Sequence, residues 1–306
     1  MKSRYIDLME KALGAYSTEH MLSYYEDIRT NGMPDQGFPR LTSNLGILIA
    51  HGRQQELLPI FTEFMEFCCK TIPTVKAAND FSVREIICCL LEIEASGLVD
   101  QSTTERWREY LATIEPTTCY TQFATKLTDD VRNWALFSGV SEYYRQDIGL
   151  CSSMDFIEMQ LAQQLQFCDE NGMYRDNPGE FNHNPIVYDL VPRGLYSMIL
   201  NRGYRGKSYD RIDNYLKKAG MLTLQMQSVT GEILFGGRSN QFIHNEAHLA
   251  ITMEFEAKRY AREGDWAMAA KFKAGVARAL DNMALWLDKQ PIRHVKNRFP
   301  TETEYG

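Results

Sequence analysis

Two stretches decide the fold class of this chain: LLPIFTEFMEFCCKTI (residues 57–72) and VREIICCLLEIEASGL (residues 83–98). In both, apolar residues recur three and four positions apart, which is the period of one face of an α-helix. The same spacing returns between Asp265 and Leu287, and no stretch shows the strong alternation of β-branched residues that is typical of a strand. The pattern predicts an all-α protein of about a dozen helices.

Glycine and capping residues separate the predicted helices. Gly97 ends one helix, Ser102 or Thr103 caps the next, and Gly264 precedes the last. The predicted spans are 3–14, 17–29, 41–52, 54–71, 83–96, 101–113, 130–147, 153–169, 186–202, 208–227, 241–262 and 264–289.

An internal repeat indicates how these helices are arranged. QFCDENG (166–172) and QMQSVTG (225–231) each end a helix with a glycine six residues after a glutamine, and they lie 59 residues apart. The segment that ends at Gly32 has a similar outline. Helical hairpins of this kind bury their apolar faces against neighbouring hairpins. Because the connections are uneven and two are long and polar, we expect a closed ring, an (α/α)6 toroid of about six hairpins in one domain over 1–306, rather than an open solenoid.

Composition excludes several classes of protein. The chain has 306 residues, 44% of them hydrophobic, and a net charge of −7. Those values are typical of a globular protein, and an acidic surface makes nucleic acid a poor partner. Neither a membrane span nor a signal peptide is visible, so the chain as given is expected to be cytoplasmic. Its seven cysteines are expected to be reduced thiols.

The first polar loop runs from Asn171 to Leu195 and leads into a helix. Polar side chains at a helix start are well placed to bind a ligand together, because the backbone N–H groups of the first turn point in the same direction. Alternatively, Asn182 and His183 only cap the helix, and Asp189 and Arg193, which are four residues apart, form an exposed ion pair. The candidate site residues in this loop are His183, Asn184, Tyr188, Asp189 and Arg193.

The second polar loop, residues 236–249, leads into a helix on which His244 and His248, four residues apart, are expected to share one face. A zinc protease would place glutamate directly after the first histidine, but Asn245 stands there, so no metal and no cofactor are expected. The alternative is that these residues are caps and core histidines. The candidates in this loop are Arg238, Asn240, His244, Glu246 and His248. Elsewhere, Trp134 offers a plane on which a sugar ring could stack, although it could equally be a core residue.

Three motifs resemble those of a known group of enzymes: RNWALFSGVSEYYRQDIGL (132–150), ENGMYRD (170–176) with the following Tyr188-Asp189, and GGRSNQF (236–242). Together they resemble bacterial carbohydrate-active enzymes with an (α/α)6 toroid, a group that includes heparinase-like polysaccharide lyases and uronate-directed glycoside hydrolases. The resemblance covers roughly residues 130–306. Members often continue beyond a region like VKNRFP (295–300), so the resemblance leads us to expect a C-terminal extension after this region.

The resemblance implies an acidic oligosaccharide as substrate. For a glycoside hydrolase, Asp189 and Glu246 are the carboxyl pair that would flank the scissile bond, with Asp176 in reserve. For a lyase acting by β-elimination, Tyr188, His183 or His244 would move the proton. Substrate would be bound by Arg193, Arg238, Asn184, Asn240, His248 and Trp134. Hydrolysis is slightly favoured. The remaining alternative is a non-catalytic helical-repeat scaffold or glycan-binding protein.

Overall fold

The computed structural model describes residues 2–77, 79–176, 186–233 and 242–289. Within these ranges the chain is helical and contains no strand, which confirms the all-α prediction; Cys168 and Tyr174 form an isolated antiparallel bridge. No helix in the described ranges is both long enough and apolar enough to cross a bilayer. The helices are α1 (Lys2–Leu13), α2 (Thr18–Asn31), α3 (Gly37–Ala50), α4 (Leu58–Thr71), α5 (Asn79–Ser96), α6 (Gln101–Ala112), α7 (Pro116–Cys119), α8 (Asn133–Asp147), α9 (Met154–Leu165), α10 (Ile186–Asn201), α11 (Tyr209–Met226), α12 (His244–Arg262) and α13 (Trp266–Leu287).

The chain divides into two compact units. Unit 1 comprises residues 1–125 and 137–160, and unit 2 comprises residues 126–136 and 161–306. Helices α8 and α9 therefore contribute residues to both units. The predictions of one continuous domain and of a closed ring of six hairpins stay predictions.

In unit 1, helices α3 and α5 pack side by side and run in the same direction. Arg40 contacts Glu85 at 3.2 Å and His51 contacts Glu92 at 3.0 Å, so residue numbers increase together along both helices. Gly46 of α3 makes this approach possible, because a Cβ atom there would lie 2.3 Å from the side chains of both Cys89 and Phe61. Alternate helices of the hairpin pattern are thus parallel, as a hairpin repeat requires.

In unit 2, the 59-residue repeat is confirmed in the detail of its two turns. Gly172 and Gly231 have φ angles of +86° and +92°. The N–H of Gly172 donates to the carbonyl of Asp169 at 3.1 Å, and the N–H of Gly231 donates to the carbonyl of Ser228 at 3.0 Å. The N–H groups of Asp169 and Ser228 in turn donate to the carbonyl of the residue after the glycine, at 2.8 Å and 2.9 Å. The two turns therefore have the same hydrogen-bond pattern at a constant offset.

The two glycine turns also occupy equivalent places against their neighbouring helices. A Cβ atom on Gly172 would lie 2.9 Å from the backbone nitrogen of Ala219 in α11, and one on Gly231 would lie 2.0 Å from the carbonyl oxygen of Arg278 in α13. Each glycine contacts a helix 47 residues further along the chain, which is the same separation in both repeats. For the third predicted copy, the space around Gly32 is open, so that turn lacks this contact.

Candidate functional site

Helices α10 and α12 of unit 2 pack side by side and run in the same direction. A Cβ atom on Gly194 would lie 3.3 Å from Nδ1 of His248, so the two helices touch there. Further along, Nζ of Lys258 lies 3.4 Å from Oδ1 of Asn201. Because the contacting residues increase in number along both helices, the helices are parallel. Their first turns, which follow the two polar segments of the sequence, therefore lie at the same end of unit 2.

The first turn of α10 holds Asp189 in a buried polar network. Asp189 is 1% exposed and forms an ion pair with Arg193, which is 2% exposed. The backbone N–H of Tyr174 donates to its Oδ1 at 2.6 Å, and the Tyr215 hydroxyl lies 3.5 Å from the same oxygen. Burial raises the pKa of Asp189, and the guanidinium and the Tyr174 N–H offset part of that effect.

Arg193 connects this network to the interior of unit 2. Its Nη1 donates to the carbonyl oxygen of Ala219 in α11 at 2.6 Å, and it also contacts the Thr223 hydroxyl. The ion pair that the four-residue spacing predicts is therefore present, but it is buried between α10 and α11 and not exposed. A guanidinium held in this way positions Asp189 and joins two helices.

Helix α10 also carries Pro192 in its interior. A proline has no N–H, so the carbonyl of Tyr188 loses the donor that would normally lie four residues later. Tyr188 itself is half-buried in the first turn. The start of α10 thus combines a helical hydrogen-bond pattern interrupted by a proline with a partly accessible phenol.

The turn that precedes α10 joins Asp189 to the start of α8. Asp176 is buried, and its Oδ1 accepts a hydrogen bond from Nδ2 of Asn133 at 3.1 Å. Trp134, the next residue, is half-buried. Two residues before Asp176 lies Tyr174, and burial, followed by the negative charge of Asp176, raises the pKa of the Tyr174 hydroxyl.

The first turn of α12 places its polar residues at two depths. Glu246 is fully buried, at 0% exposure. His244 is exposed, and its ring stacks on that of Phe242 with a centroid distance of 5.2 Å and an interplanar angle of 12°. His248 is half-buried, and its ring meets that of His244 edge-on at 6.0 Å. The two histidines therefore share one helical face, as their spacing predicts, with the carboxyl of Glu246 buried in the same turn.

Four predicted site residues lie outside the described residues: His183, Asn184, Arg238 and Asn240. The first two belong to the segment that joins Asp176 to α10, and the others to the segment that joins Ile233 to α12. Both segments are therefore attached at the end of unit 2 where α10 and α12 begin.

Sequence reasoning missed three residues that organise this end of unit 2. Tyr174 supplies a backbone N–H to Asp189, Tyr215 supplies a hydroxyl from α11, and Asn133 binds Asp176. The repeated glycine turn was the available signal for Tyr174, because Gly172 fixes the path of the chain two residues earlier. No pattern in the sequence indicated Tyr215, whose contact depends on how α11 packs.

The arrangement has the groups needed for acid–base chemistry. Across the ranges that the structure describes, no three histidine, cysteine, aspartate or glutamate residues lie close enough together to hold a metal ion.

Comparisons of this chain with models of protein families, with curated proteins and with solved structures give no match. No family membership is therefore assigned, and function is inferred from the residues of the site.

Proposed function

We propose that this chain is a carbohydrate-active enzyme that hydrolyses a glycosidic bond in a uronate-containing oligosaccharide by carboxyl acid–base catalysis. We further propose that its helical hairpins close into an (α/α)6 toroid, with substrate bound at the end where α10 and α12 begin. The observation that carries the proposal is the parallel packing of these helices, which brings the first turns containing Asp189 and Glu246 to one end of unit 2.

Asp189 suits the role of the ionised carboxyl group, which acts as base or nucleophile. A hydrolase needs one carboxyl group that keeps its proton near neutral pH and a second that acts as base or nucleophile. The ion pair with Arg193 favours the charged form of Asp189 and offsets part of the rise in pKa that burial causes. Glu246 would be the carboxyl group that keeps its proton, and Asp176 is the reserve.

Binding of an acidic sugar would fall to cationic and amide side chains near the same helix starts. The proposal assigns this role to Arg238, Asn184 and Asn240, with His248 and the ring of Trp134 completing the subsite. Arg193 would act indirectly, because its guanidinium is directed towards Asp189 and the carbonyl of Ala219.

A second candidate activity is β-elimination by a polysaccharide lyase. One observation favours it: His244 is exposed and Tyr188 is half-buried, whereas the two carboxyl groups proposed for hydrolysis are buried. A lyase base must reach the proton next to the uronate carboxylate, and these two side chains are the accessible proton carriers in the first turns of α12 and α10. His183 is the third candidate base.

The test is incubation of the purified chain with a panel of uronate-containing oligosaccharides, with two readouts. Hydrolysis releases a new reducing end without ultraviolet absorbance, whereas elimination produces an unsaturated uronate that absorbs. Asp189→Asn and Glu246→Gln should each lower a hydrolytic rate per folded molecule by about 10²–10⁴-fold. His244→Ala and Tyr188→Phe should each lower the rate of elimination to a similar extent. The matched control is His20→Ala, at an exposed histidine of α2, which should leave either rate unchanged.

Two results would overturn the enzymatic proposal. One is the absence of either product across the whole panel, which would favour a non-catalytic helical-repeat or glycan-binding protein. The other is turnover that none of the four site variants lowers more than the control variant does.

A further inference from the structure

A separate cavity of about 200 Å³ lies at the opposite end of the same helices in unit 2. It is bounded by the last turn of α10 at Leu200, the start of α11, and the last turns of α12 from Phe255 to Glu263. Arg259 follows Glu246 by thirteen residues on α12, which places the cavity about 20 Å along the helix axis from the candidate catalytic end, at 1.5 Å per residue. The two sites are therefore distinct.

Three arginines line this cavity, and they differ in how their charges are balanced. Arg259 is buried, and its guanidinium donates to Glu256 at 2.8 Å and to Asp213 at 2.6 Å. Arg205 and Arg262 are exposed, and in the part of the chain that the structure describes neither has a carboxylate within ion-pair distance.

The acidic residues around the cavity are already engaged by other cations. Asp213 pairs with Arg259, and Glu263 pairs with Lys217 at 3.2 Å. The charges of Arg205 and Arg262 are therefore not neutralised by these carboxylates, and the mouth of the cavity is positive although the protein as a whole is acidic.

The position of Arg262 alone has an ordinary explanation, because basic residues in the last turn of a helix interact favourably with its dipole. That explanation does not apply to Arg205, which precedes α11. Its guanidinium lies 4.4 Å from the centre of the Tyr209 ring, which fixes its position at the cavity. Helix α11 starts at Tyr209, which lines the cavity, so the positive end of the helix dipole lies at the edge of the same space. Arginines from two segments, the one before α11 and helix α12, thus line one hollow.

We propose that this cavity binds a small oxyanion, either a free phosphate or the phosphate or carboxylate group of a small metabolite, between the guanidinium groups of Arg205 and Arg262. Arginine presents paired N–H donors that match the oxygens of both anions. The size of the hollow agrees with a small ligand, since a water molecule takes about 30 Å³ in the liquid. Arg259 forms the floor and keeps its place through Glu256 and Asp213.

This inference goes beyond the proposed glycan chemistry and does not depend on it. The test is isothermal titration calorimetry of the full chain at low ionic strength, with inorganic phosphate in one arm and acetate in the other. We expect saturable binding of at least one anion with a stoichiometry of one. Arg205→Gln and Arg262→Gln should each weaken the affinity about tenfold or more, and Arg211→Gln, an exposed arginine of α11 that does not line the cavity, should leave it unchanged.

The comparison of the two arms identifies the anion: tighter binding of phosphate indicates a tetrahedral ligand, and tighter binding of acetate indicates a carboxylate. Because Arg205 and Arg262 are exposed, both variants should fold, and circular dichroism checks that they do. Absence of saturable heat for both anions up to about ten millimolar would overturn the inference. Equal weakening in all three variants would overturn it as well, because it would show non-specific attraction to surface charge.

Discussion

Replacing Asp189 with asparagine should destabilise unit 2 strongly, because it would leave a buried guanidinium without its negative partner. Asp189 and Arg193 are 1% and 2% exposed, and they form an ion pair inside the helix bundle. An asparagine keeps the size of the side chain and can still accept the Tyr174 N–H bond, but it removes the charge. Breaking a buried ion pair from one side costs about 3–5 kcal/mol.

Urea denaturation followed by far-ultraviolet circular dichroism measures this loss. We expect the midpoint for Asp189→Asn to fall while the slope stays the same, since the surface exposed on unfolding is unchanged. In a thermal scan, about 2–4 °C per kcal/mol for a unit of this size corresponds to a fall of roughly 6–20 °C. Asp210→Asn, at an exposed carboxylate in the first turn of α11, is the control and should change stability by less than about 1 kcal/mol.

A double-mutant cycle with Arg193→Met identifies the source of the effect. If the ion pair is responsible, the double variant should be more stable than the sum of the two single losses predicts, by more than about 1 kcal/mol. A loss below about 0.5 kcal/mol for Asp189→Asn would refute the reasoning, because a buried arginine would then tolerate the absence of its counter-charge.

Three further predictions concern other parts of the chain. Gly231→Ala should cost at least about 2 kcal/mol, because it adds positive-φ strain and a clash with the carbonyl oxygen of Arg278; a chemical denaturation curve measures it. Glu142→Gln should cost about 3–5 kcal/mol in the same assay, because Glu142 is fully buried against Arg145 at 2.7 Å. Burial raises the pKa of Glu256 from 4.5 to about 7, so its contribution to stability is greatest below pH 4.5 and is lost as the pH rises through 7. Between pH 4.5 and pH 7 the free energy of unfolding should fall by up to about 3 kcal/mol more in the wild type than in Glu256→Gln.

Matched variants separate the causes in these predictions. Gly203→Ala has the same positive φ as Gly231→Ala but open surroundings, so the difference between the two losses measures the clash. Glu263→Gln removes an exposed ion pair with Lys217, and it should cost less than about 1 kcal/mol. Equal losses for Glu142→Gln and Glu263→Gln would contradict the account of the buried pair.

The fold class could be predicted from the sequence because each long helix has an apolar face of the right period and a clear end signal. The predicted helix boundaries are less accurate where the sequence has no clear capping or terminating residue. The sequence predicts the start of α3 near residue 41, but the helix begins at Gly37, whose N–H donates to the carboxylate of Asp35 at 2.7 Å. Pro39 then lies in the first turn, where a missing N–H costs nothing. The four residues of α7 are too few to show any period.

The candidate site could be predicted only where two residues share one helix. The spacing of four residues predicts both the contact between His244 and His248 and the pair formed by Asp189 and Arg193. Burial of that pair could not be predicted, because it depends on α11 covering it and on the carbonyl of Ala219 accepting from the guanidinium. Contacts between distant helices are set by packing, which local periodicity does not encode.

The 59-residue repeat explains why two distant polar segments lead to the same end of unit 2. In each copy a glycine with positive φ ends the turn, and its lack of a side chain lets the chain lie directly against a helix 47 residues ahead. Helix α10 begins 14 residues after Gly172 and α12 begins 13 residues after Gly231, so the two parallel helices follow their turns at a similar distance along the chain. A side chain at either glycine would collide with the backbone of the facing helix. We therefore expect such a variant to displace the turn, and with it the helix start that follows, although no proposed catalytic group is changed.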